Sequence, residues 1–221
     1  MFDSATIQML VKGLGESLYM IFFSTFLSYV IGLPLGVILV VTDKQGIRPM
    51  PIINKVLGFI VNILRSVPFI ILLLAISPFT RMIVGTTLGT NATIVALVVS
   101  ASPYIARLVE SSIKEVDAGV IEAAQSMGST PFQIVCKVLV PEAKPSLIVG
   151  AAIAITTILG YTAMAGFVGG GGLGDIAIRY GYQRYQTDIM MVTVVILVIL
   201  VQIFQEFGIR LAKTGDKRIN K

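Results

Sequence analysis

Residues 122–141 read EAAQSMGSTPFQIVCKVLVP and form the longest polar interruption in a sequence that otherwise consists mostly of apolar runs. The pattern predicts two short helices joined by a sharp bend. Asp117 stands where its carboxylate can cap the first helix, by accepting hydrogen bonds from backbone N–H groups that lack partners in the helix. Gly128 predicts the end of that helix, because glycine enters the left-handed conformation without the steric penalty of a Cβ atom.

The second predicted helix begins with a capping sequence. Thr130 can cap it, Pro131 occupies the first position, where no N–H is needed, and Gln133 completes a capping box. Pro141 then discourages continuation into the next segment. Four residues at helical spacing are expected to form its apolar face: Phe132, Val135, Cys136 and Leu139.

Two interpretations of this bent segment remain open. It can be an amphipathic hairpin that lies on the membrane surface, as is common between membrane spans. Alternatively, it is a docking surface for a soluble partner, since Ala123 and Ala124 offer a flat patch beside the carboxylate of Glu122.

The composition is that of a membrane protein. The 221 residues are 55% hydrophobic and only 13% charged, whereas soluble domains carry about 25% charged residues. The sequence contains no histidine, which removes the commonest metal ligand and acid–base residue. Its net charge of +5 comes from basic residues at the ends of apolar runs, which argues against a nucleic-acid partner and indicates membrane topology.

Five apolar segments approach or exceed the roughly 20 residues that a helix needs to span a membrane. We therefore predict an all-α integral membrane protein, in contact with lipid, whose single membrane domain covers residues 13–210. The bent segment at 117–141 connects the third and fourth spans, and a basic cytoplasmic tail is expected at 211–221. The predicted spans are 17–42, 56–79, 91–109, 147–168 and 187–207.

The basic residues predict the orientation, because cytoplasmic loops retain Lys and Arg. With the N-terminus outside and the C-terminus inside, twelve basic residues are cytoplasmic and four are external. The cytoplasmic set is Lys44, Arg48, Lys55, Arg107, Lys114, Lys137, Lys144, Arg210, Lys213, Lys217, Arg218 and Lys221. The external set is Lys12, Arg81, Arg179 and Arg184. The segment at 117–141 is therefore predicted to be cytoplasmic.

Some residues inside the spans are candidates for a translocation path or its gate. Arg65, beside Ser66, either snorkels to the nearer interface or lines a wet passage, because a central arginine costs about 2.5–3.5 kcal/mol on insertion scales. In the fourth span, small and hydroxyl residues stand where Leu and Val are expected, around Tyr161, Thr162 and Met164. Either a neighbouring helix packs closely there or backbone lines a water-filled passage.

Three further patterns have structural interpretations. Gly32 and Gly36 form a small-xxx-small pair, which favours ordinary helix packing. Arg107 and Glu110 are close to helical spacing, which favours a mutual ion pair. Residues 169–174, GGGGLG, formally satisfy G-x-G-x-x-G, but no strand–turn–helix context surrounds them. We predict a flexible connection and not a dinucleotide site.

The sequence contains no motif that would let this chain drive transport by itself. The phosphate-binding motif G-x-x-x-x-G-K-[ST] does not occur, and the spans lack the chains of Asp, Glu and His that proton-driven carriers use. We therefore predict a non-catalytic membrane subunit that receives its energy through the bent segment. Five helices are also few to enclose a solute path, which favours a homodimer.

The bent segment resembles the EAA loop of the membrane subunits of binding-protein-dependent ABC importers. Glu122, Ala123, Ala124, Gly128 and Pro141 match that motif, while Val138 and Val140 stand where the family has Ile and Leu. The resemblance implies a coupling helix that docks into a cleft on a cytoplasmic ATPase. It also implies that two such ATPase subunits serve the dimer, that they bind the ATP and magnesium, and that this chain holds no cofactor or metal.

Within that family, the similarity is greatest to the methionine-import permeases and covers about residues 13–210. It is carried by LRSVPFIILL at 64–73, PFTR at 78–81 and GYTAM at 160–164. It implies import of D- and L-methionine across the bacterial inner membrane by alternating access, with an extracytoplasmic methionine-binding lipoprotein as partner. The residues alone leave other functions open, namely a permease for another small neutral solute, a gradient-driven carrier or channel, or a membrane-anchoring subunit.

Overall fold

The structure, a computed structural model, describes residues 3–215. Within that range the elements are helical and no strand occurs. The α-helices are α1 (Ser4–Val41), α2 (Pro51–Ser66), α3 (Phe69–Ala75), α4 (Ser77–Val84), α5 (Thr90–Lys114), α6 (Ala118–Ser126), α7 (Pro131–Ile134), α8 (Val140–Glu142), α9 (Lys144–Ala165), α10 (Gly172–Ile176) and α11 (Thr187–Gly215). A 3₁₀ turn, Gly166–Val168, follows α9, and π-helical turns occupy Val135–Leu139 and Ala177–Tyr182.

Among the described residues, four helical stretches are long and apolar enough to cross a membrane: Ser4–Val41, Thr90–Lys114, Lys144–Val168 and Thr187–Lys213. The span predicted at 56–79 is not one continuous helix. Its helices α2 and α3 meet at 103°, because Pro68 has no N–H to donate and disfavours helical backbone in Val67. The count of spans reaches the predicted five only if this bent pair is one span.

The observed helices extend beyond the predicted spans. Helix α1 already begins at Ser4, where the Asp3 carboxylate caps it by accepting the Thr6 N–H at 3.2 Å. Helix α11 continues to Gly215, so the tail expected at 211–221 begins as helix. Apolar runs mark the part of a helix that suits lipid, whereas caps decide where the helix ends. Three basic residues of the expected tail lie outside the described residues: Lys217, Arg218 and Lys221.

The chain divides into two compact units, which are described separately. The first, the glycine-loop unit, comprises Met1–Ser28, Val67–Ala101 and Ile155–Gln205. The second, the finger unit, comprises Tyr29–Ser66, Ser102–Ala154 and Glu206–Lys221.

Residues 169–174, called the glycine loop, are anchored inside the glycine-loop unit. The Gly172 N–H donates to the Glu16 carboxylate at 2.8 Å, and the Leu173 N–H donates to the Ser17 hydroxyl at 2.9 Å. Both donors belong to buried residues. Gly172 has a φ of +77°, which glycine adopts readily. The expectation of a flexible connection is therefore wrong, because contacts with distant residues hold the loop.

The small residues near the end of α9 allow two backbones to approach closely. A Cβ atom on Gly174 would lie 2.5 Å from the Cα atom of Ala163, and one on Gly166 would meet the backbone of Gly174. At Gly160, in contrast, a Cβ atom would meet nothing within 4 Å. The sequence predicts that this region either packs closely against a neighbouring helix or lines a water-filled passage. Close packing is observed at Ala163 and Gly166.

In the finger unit, α1 packs tightly on α5 through its small residues. A Cβ atom on Gly32 would lie 2.8 Å from the Ser102 carbonyl oxygen, and one on Gly36 would lie 2.5 Å from that of Ala106. The interpretation of this glycine pair as a packing motif is therefore confirmed. These contacts bring the C-terminal part of α1 against the part of α5 that leads to the bent segment.

Candidate coupling site

Helix α6 begins and ends where the sequence predicts. The Asp117 carboxylate accepts the Gly119 N–H at 2.7 Å. Gly128 has a φ of +77°, and its N–H donates to the Gln125 carbonyl at 2.9 Å. The bend after α6 therefore depends on glycine, because other residues adopt this backbone conformation only under strain.

Helix α7 has the predicted capping box. The Gln133 N–H donates to the Thr130 hydroxyl at 3.4 Å, and the Gln133 side-chain oxygen accepts the Thr130 N–H at 2.9 Å. Pro131 occupies the start of the helix, as expected. Both short helices thus have the caps that their local sequence predicts.

The second helix does not stop before Pro141. It passes through the π-helical turn Val135–Leu139, in which the Val140 N–H donates to the Val135 carbonyl, and continues as α8 to Glu142. Pro141 lies in the first turn of α8, where an absent N–H is tolerated. We call residues 117–142 the finger.

The apolar face predicted for the second helix is wrong at Phe132 and Cys136, whereas Leu139 is buried as part of it. Phe132 is 76% exposed and Cys136 is exposed, whereas Ile134 and Leu139 are each 1% exposed. Val135 is partly buried. The π-helical turn changes the spacing of side chains from Val135 to Leu139, whereas Phe132 and Ile134 lie before it in α7.

The finger has a buried set and an exposed set of side chains. The buried set is Ala124, Ile134 and Leu139. The exposed set contains large apolar residues, since Met127 is 78% exposed and Phe132 is 76% exposed, and it also includes Val120, Glu122 and Ala123. Of the two alanines of the predicted flat patch, Ala123 is exposed and Ala124 is buried. Large apolar side chains that remain exposed on so short a segment favour a surface that a partner or a membrane covers.

A cavity of about 410 Å³ lies beside the base of the finger. Its lining combines the end of α5, the start of α9 and the end of α11 and includes Ser112, Glu142, Ser146, Val149 and Ala212. The Ser146 hydroxyl donates to that of Ser112 at 3.1 Å, which joins α9 to α5 directly after the finger.

A second cavity of about 520 Å³ lies between the finger and the segment that follows α1. Asp43, Lys114, Glu122 and Gln125 contribute its polar lining. The Lys114 ammonium donates to Asp43 at 2.8 Å, and this hydrogen bond holds the pKa of the Asp43 carboxyl below its ordinary value of 3.8. The base of the finger is therefore a charged region.

The predicted ion pair of Arg107 and Glu110 is present, with 2.5 Å between Nη1 and Oε2. Glu110 also accepts from Lys114 at 2.9 Å, and Arg107 donates to α2, at the Asn62 side-chain oxygen (2.8 Å) and the Gly58 carbonyl (3.1 Å). Sequence reasoning missed these additional partners. Helical spacing of Glu110 and Lys114 could have indicated their contact, whereas the contacts with Asp43 and α2 have no local signal.

The candidate path residues lie in different units. In the finger unit, Arg65 is exposed and the Ser66 hydroxyl donates to the Asn62 carbonyl at 2.8 Å. In the glycine-loop unit, Tyr161 stacks on Phe69 with 4.7 Å between ring centroids. Thr162 is buried and donates to the Leu159 carbonyl, while Met164 is 45% exposed.

Comparisons with known proteins identify the family to which the chain is similar. A family model described as binding-protein-dependent transport system inner membrane component matches residues 32–219. The chain is 50% identical over 210 residues to the probable D-methionine transport system permease protein MetI of Vibrio cholerae, covering 95% of this chain and 93% of that protein. It is 51% identical over 158 residues to the D-methionine transport system permease protein MetI of Escherichia coli K12, covering 72% and 73% of the two chains.

Solved structures give the same result. A crystal structure described as inward-facing conformations of the MetNI methionine ABC transporter matches with a TM-score of 0.96 and 47% identity, covering 98% of this chain and 100% of that chain. An amino acid ABC transporter with histidines matches with a TM-score of 0.77 at 20% identity, covering 97% and 99% of the two chains. The second match indicates a shared fold.

Proposed function

The chain belongs to the family of binding-protein-dependent transport system inner membrane components, and we propose that it is the permease subunit of an ATP-driven methionine importer. The chain itself is a non-catalytic membrane component, and a separate ATPase subunit binds and hydrolyses ATP. The motif residues Glu122, Ala123, Ala124, Gly128 and Pro141 form the coupling site for that ATPase.

The observation that carries this proposal is the division of the finger into a buried and an exposed set. Ala124, Ile134 and Leu139 are buried, and Leu139 lines a cavity together with Val40 and Ile113 of the same unit. Met127 and Phe132 remain exposed, so a soluble subunit can bind the finger without unfolding it. An attached finger with a free apolar surface can transmit the motion of a partner to the helices on either side of it.

The assembly and its cycle follow from this role. Two copies of the chain form a homodimer that presents two fingers to two cytoplasmic ATPase subunits. The N-terminus is outside and the C-terminus inside, in agreement with the distribution of basic residues. ATP binding brings the ATPase subunits together, the fingers follow, and the spans alternate between inward-open and outward-open states. An extracytoplasmic methionine-binding lipoprotein delivers the solute.

Methionine is proposed as the solute because relatives near 50% identity are named D-methionine permeases. Among the candidate path residues in the glycine-loop unit, Met164 has the side chain that remains substantially exposed. We therefore assign Met164 to the path or its gate. Tyr161 is engaged in its stack with Phe69, and its role in the path is to hold the start of α3 beside α9.

The coupling role is tested with Ala123→Trp in the complete transporter, reconstituted in vesicles with its ATPase and binding protein. Ala123 is exposed, so the bulky side chain leaves the fold of the finger intact while obstructing the docked surface. Uptake of labelled L-methionine should fall at least about tenfold, the scale of a coupling free energy near 1.4 kcal/mol. Ala123→Ser is the matched control and should transport at the rate of the unaltered protein.

Four outcomes would contradict the proposal. Normal uptake by the Ala123→Trp variant would remove the coupling role of the motif. Methionine flux through the chain without an ATPase would indicate a gradient-driven carrier or channel. Failure of excess D-methionine to compete with L-methionine, or equal competition by leucine, would remove the proposed substrate.

A further inference from the structure

Charged and polar groups at the base of the finger form a continuous network across three helices. Asp43, two residues after the end of α1, contacts Lys114 at 2.8 Å, and Lys114 contacts Glu110 at 2.9 Å. Glu110 pairs with Arg107, which donates to Asn62 and Gly58 of α2. The network therefore joins the end of α1, the last part of α5 and the middle of α2 within the finger unit.

The centre of this network is poorly exposed to water. The Glu110 side chain is 11% exposed and that of Arg107 is 26% exposed. Arg107 Nε is buried without a hydrogen-bond partner. Removing charges from water costs free energy, and this cost offsets much of the attraction between them. Replacing such charges by apolar side chains of similar volume therefore often leaves the stability of the protein unchanged or raises it. Stability alone does not explain these residues.

The network lies where motion of the finger reaches the helices. Lys114 is the last residue of α5, and Asp117, the cap of the finger's first helix, follows after two residues. A second contact supports the same junction, because the Asn54 amide of α2 donates to the Leu39 carbonyl of α1 at 2.7 Å. A movement of the finger therefore acts on α5 at the end that is hydrogen-bonded to α2 and to the segment after α1.

We propose that Arg107, Glu110 and Lys114 are positioning residues that hold the end of α1, the middle of α2 and the last part of α5 as one body during transport. Their directional hydrogen bonds fix the register of the three helices, which packing of apolar side chains leaves adjustable. The planar guanidinium of Arg107 reaches two groups of α2 at once, which the single ammonium of a lysine does less well. The inference depends on the proposed function, because it specifies how ATPase motion spreads from the finger.

The test compares coupling with stability in a variant that combines Arg107→Met, Glu110→Leu and Lys114→Met. The complete transporter is reconstituted in vesicles, and methionine uptake and ATP hydrolysis are measured together with the thermal unfolding temperature. We expect the variant to fold, assemble and hydrolyse ATP, while methionine transported per ATP hydrolysed falls about tenfold. A merely structural network would instead lower the unfolding temperature and leave this ratio unchanged.

Glu206→Gln provides the matched control. Glu206 pairs with Arg210 at 2.7 Å, but both residues lie on α11, so the substitution removes a carboxylate charge without separating two helices. Its transport per ATP should equal that of the unaltered protein. If the triple variant does not fold, Glu110→Gln takes its place, and a smaller loss of coupling is expected because the amide still accepts hydrogen bonds.

The outcomes separate this inference from the proposed function. An unchanged ratio in a folded triple variant, or in Glu110→Gln where it is used, would overturn the positioning role while the importer itself still works. An equal loss in Glu206→Gln would also overturn it, because a general effect of charge would then be responsible. Absence of ATP-dependent uptake by the unaltered transporter would instead contradict the proposed function.

Discussion

The finger and the glycine loop are both short interruptions of apolar sequence, yet they are stabilised in opposite ways. The caps of the finger join residues two or three positions apart, such as Thr130 and Gln133. The glycine loop is anchored by Glu16 and Ser17, each 156 residues from its partner. The finger leaves Met127 and Phe132 exposed, whereas the glycine loop buries Gly172 and Leu173.

This difference shows which segment is available for binding. A segment whose caps are local can expose one side and keep its conformation, because that side contributes little to its stability. A segment whose conformation depends on close contacts along its length leaves little exposed surface that a partner could bind. The finger therefore suits docking, and the glycine loop suits the rigid connection of helices.

The largest expected effect is that of Gly174→Ala in the glycine-loop unit. The new Cβ atom would lie 2.5 Å from both the Cα atom and the carbonyl oxygen of Ala163, and backbone atoms cannot rotate away as a side chain can. Overpacking of this kind destabilises by about 1–3 kcal/mol or more. Thermal unfolding of the purified chain in detergent should show a clear decrease in the unfolding temperature.

Gly160→Ala is the matched control, since a Cβ atom there meets nothing within 4 Å. Alanine is also favoured over glycine inside a helix, so its unfolding temperature should stay the same or rise. Equal stability of the two variants would contradict the close packing of α9 and α10, and with it the contrast between the two segments.

A smaller and local effect is expected for Thr130→Ala in the finger. The substitution removes the hydroxyl that accepts the Gln133 N–H, and loss of such a cap typically costs about 1 kcal/mol. Amide hydrogen exchange should become faster in α7, while global unfolding of the protein changes little. Thr130→Ser keeps an acceptor and should retain the original exchange rate, so faster exchange in both variants would show that the cap is not responsible.

The same contrast explains what could be predicted from the sequence. Asp117, Gly128 and Thr130 follow rules that act within three or four residues, so the predicted bend and caps are confirmed. The break in the second span also has a local signal, because Pro68 disfavours helical backbone in Val67, although the apolar run at 56–79 by itself predicts one span. The ion pair of Arg107 and Glu110 is likewise predicted and observed, because the two residues are three positions apart.

The remaining features depend on partners that a local pattern does not contain. Nothing near the glycine loop indicates that Glu16 accepts its N–H, or that Ala163 lies against Gly174. The exposure of Phe132 and the burial of Ala124 depend on which side of the finger faces the rest of its unit, and a local pattern does not contain that information. The network at the base of the finger likewise joins Asp43 to Lys114 across a large separation in sequence.

The central claim, that the finger is a cytoplasmic docking element for an ATPase, is tested most directly through Cys136. It is the single cysteine of the sequence and lies exposed on the finger. A membrane-impermeant maleimide should label Cys136 in inside-out vesicles that lack the ATPase. The label is measured on this chain after the proteins are separated by gel electrophoresis. Bound ATPase should protect Cys136, and right-side-out vesicles should show no labelling. Labelling in right-side-out vesicles, or equal labelling with and without bound ATPase, would contradict the account.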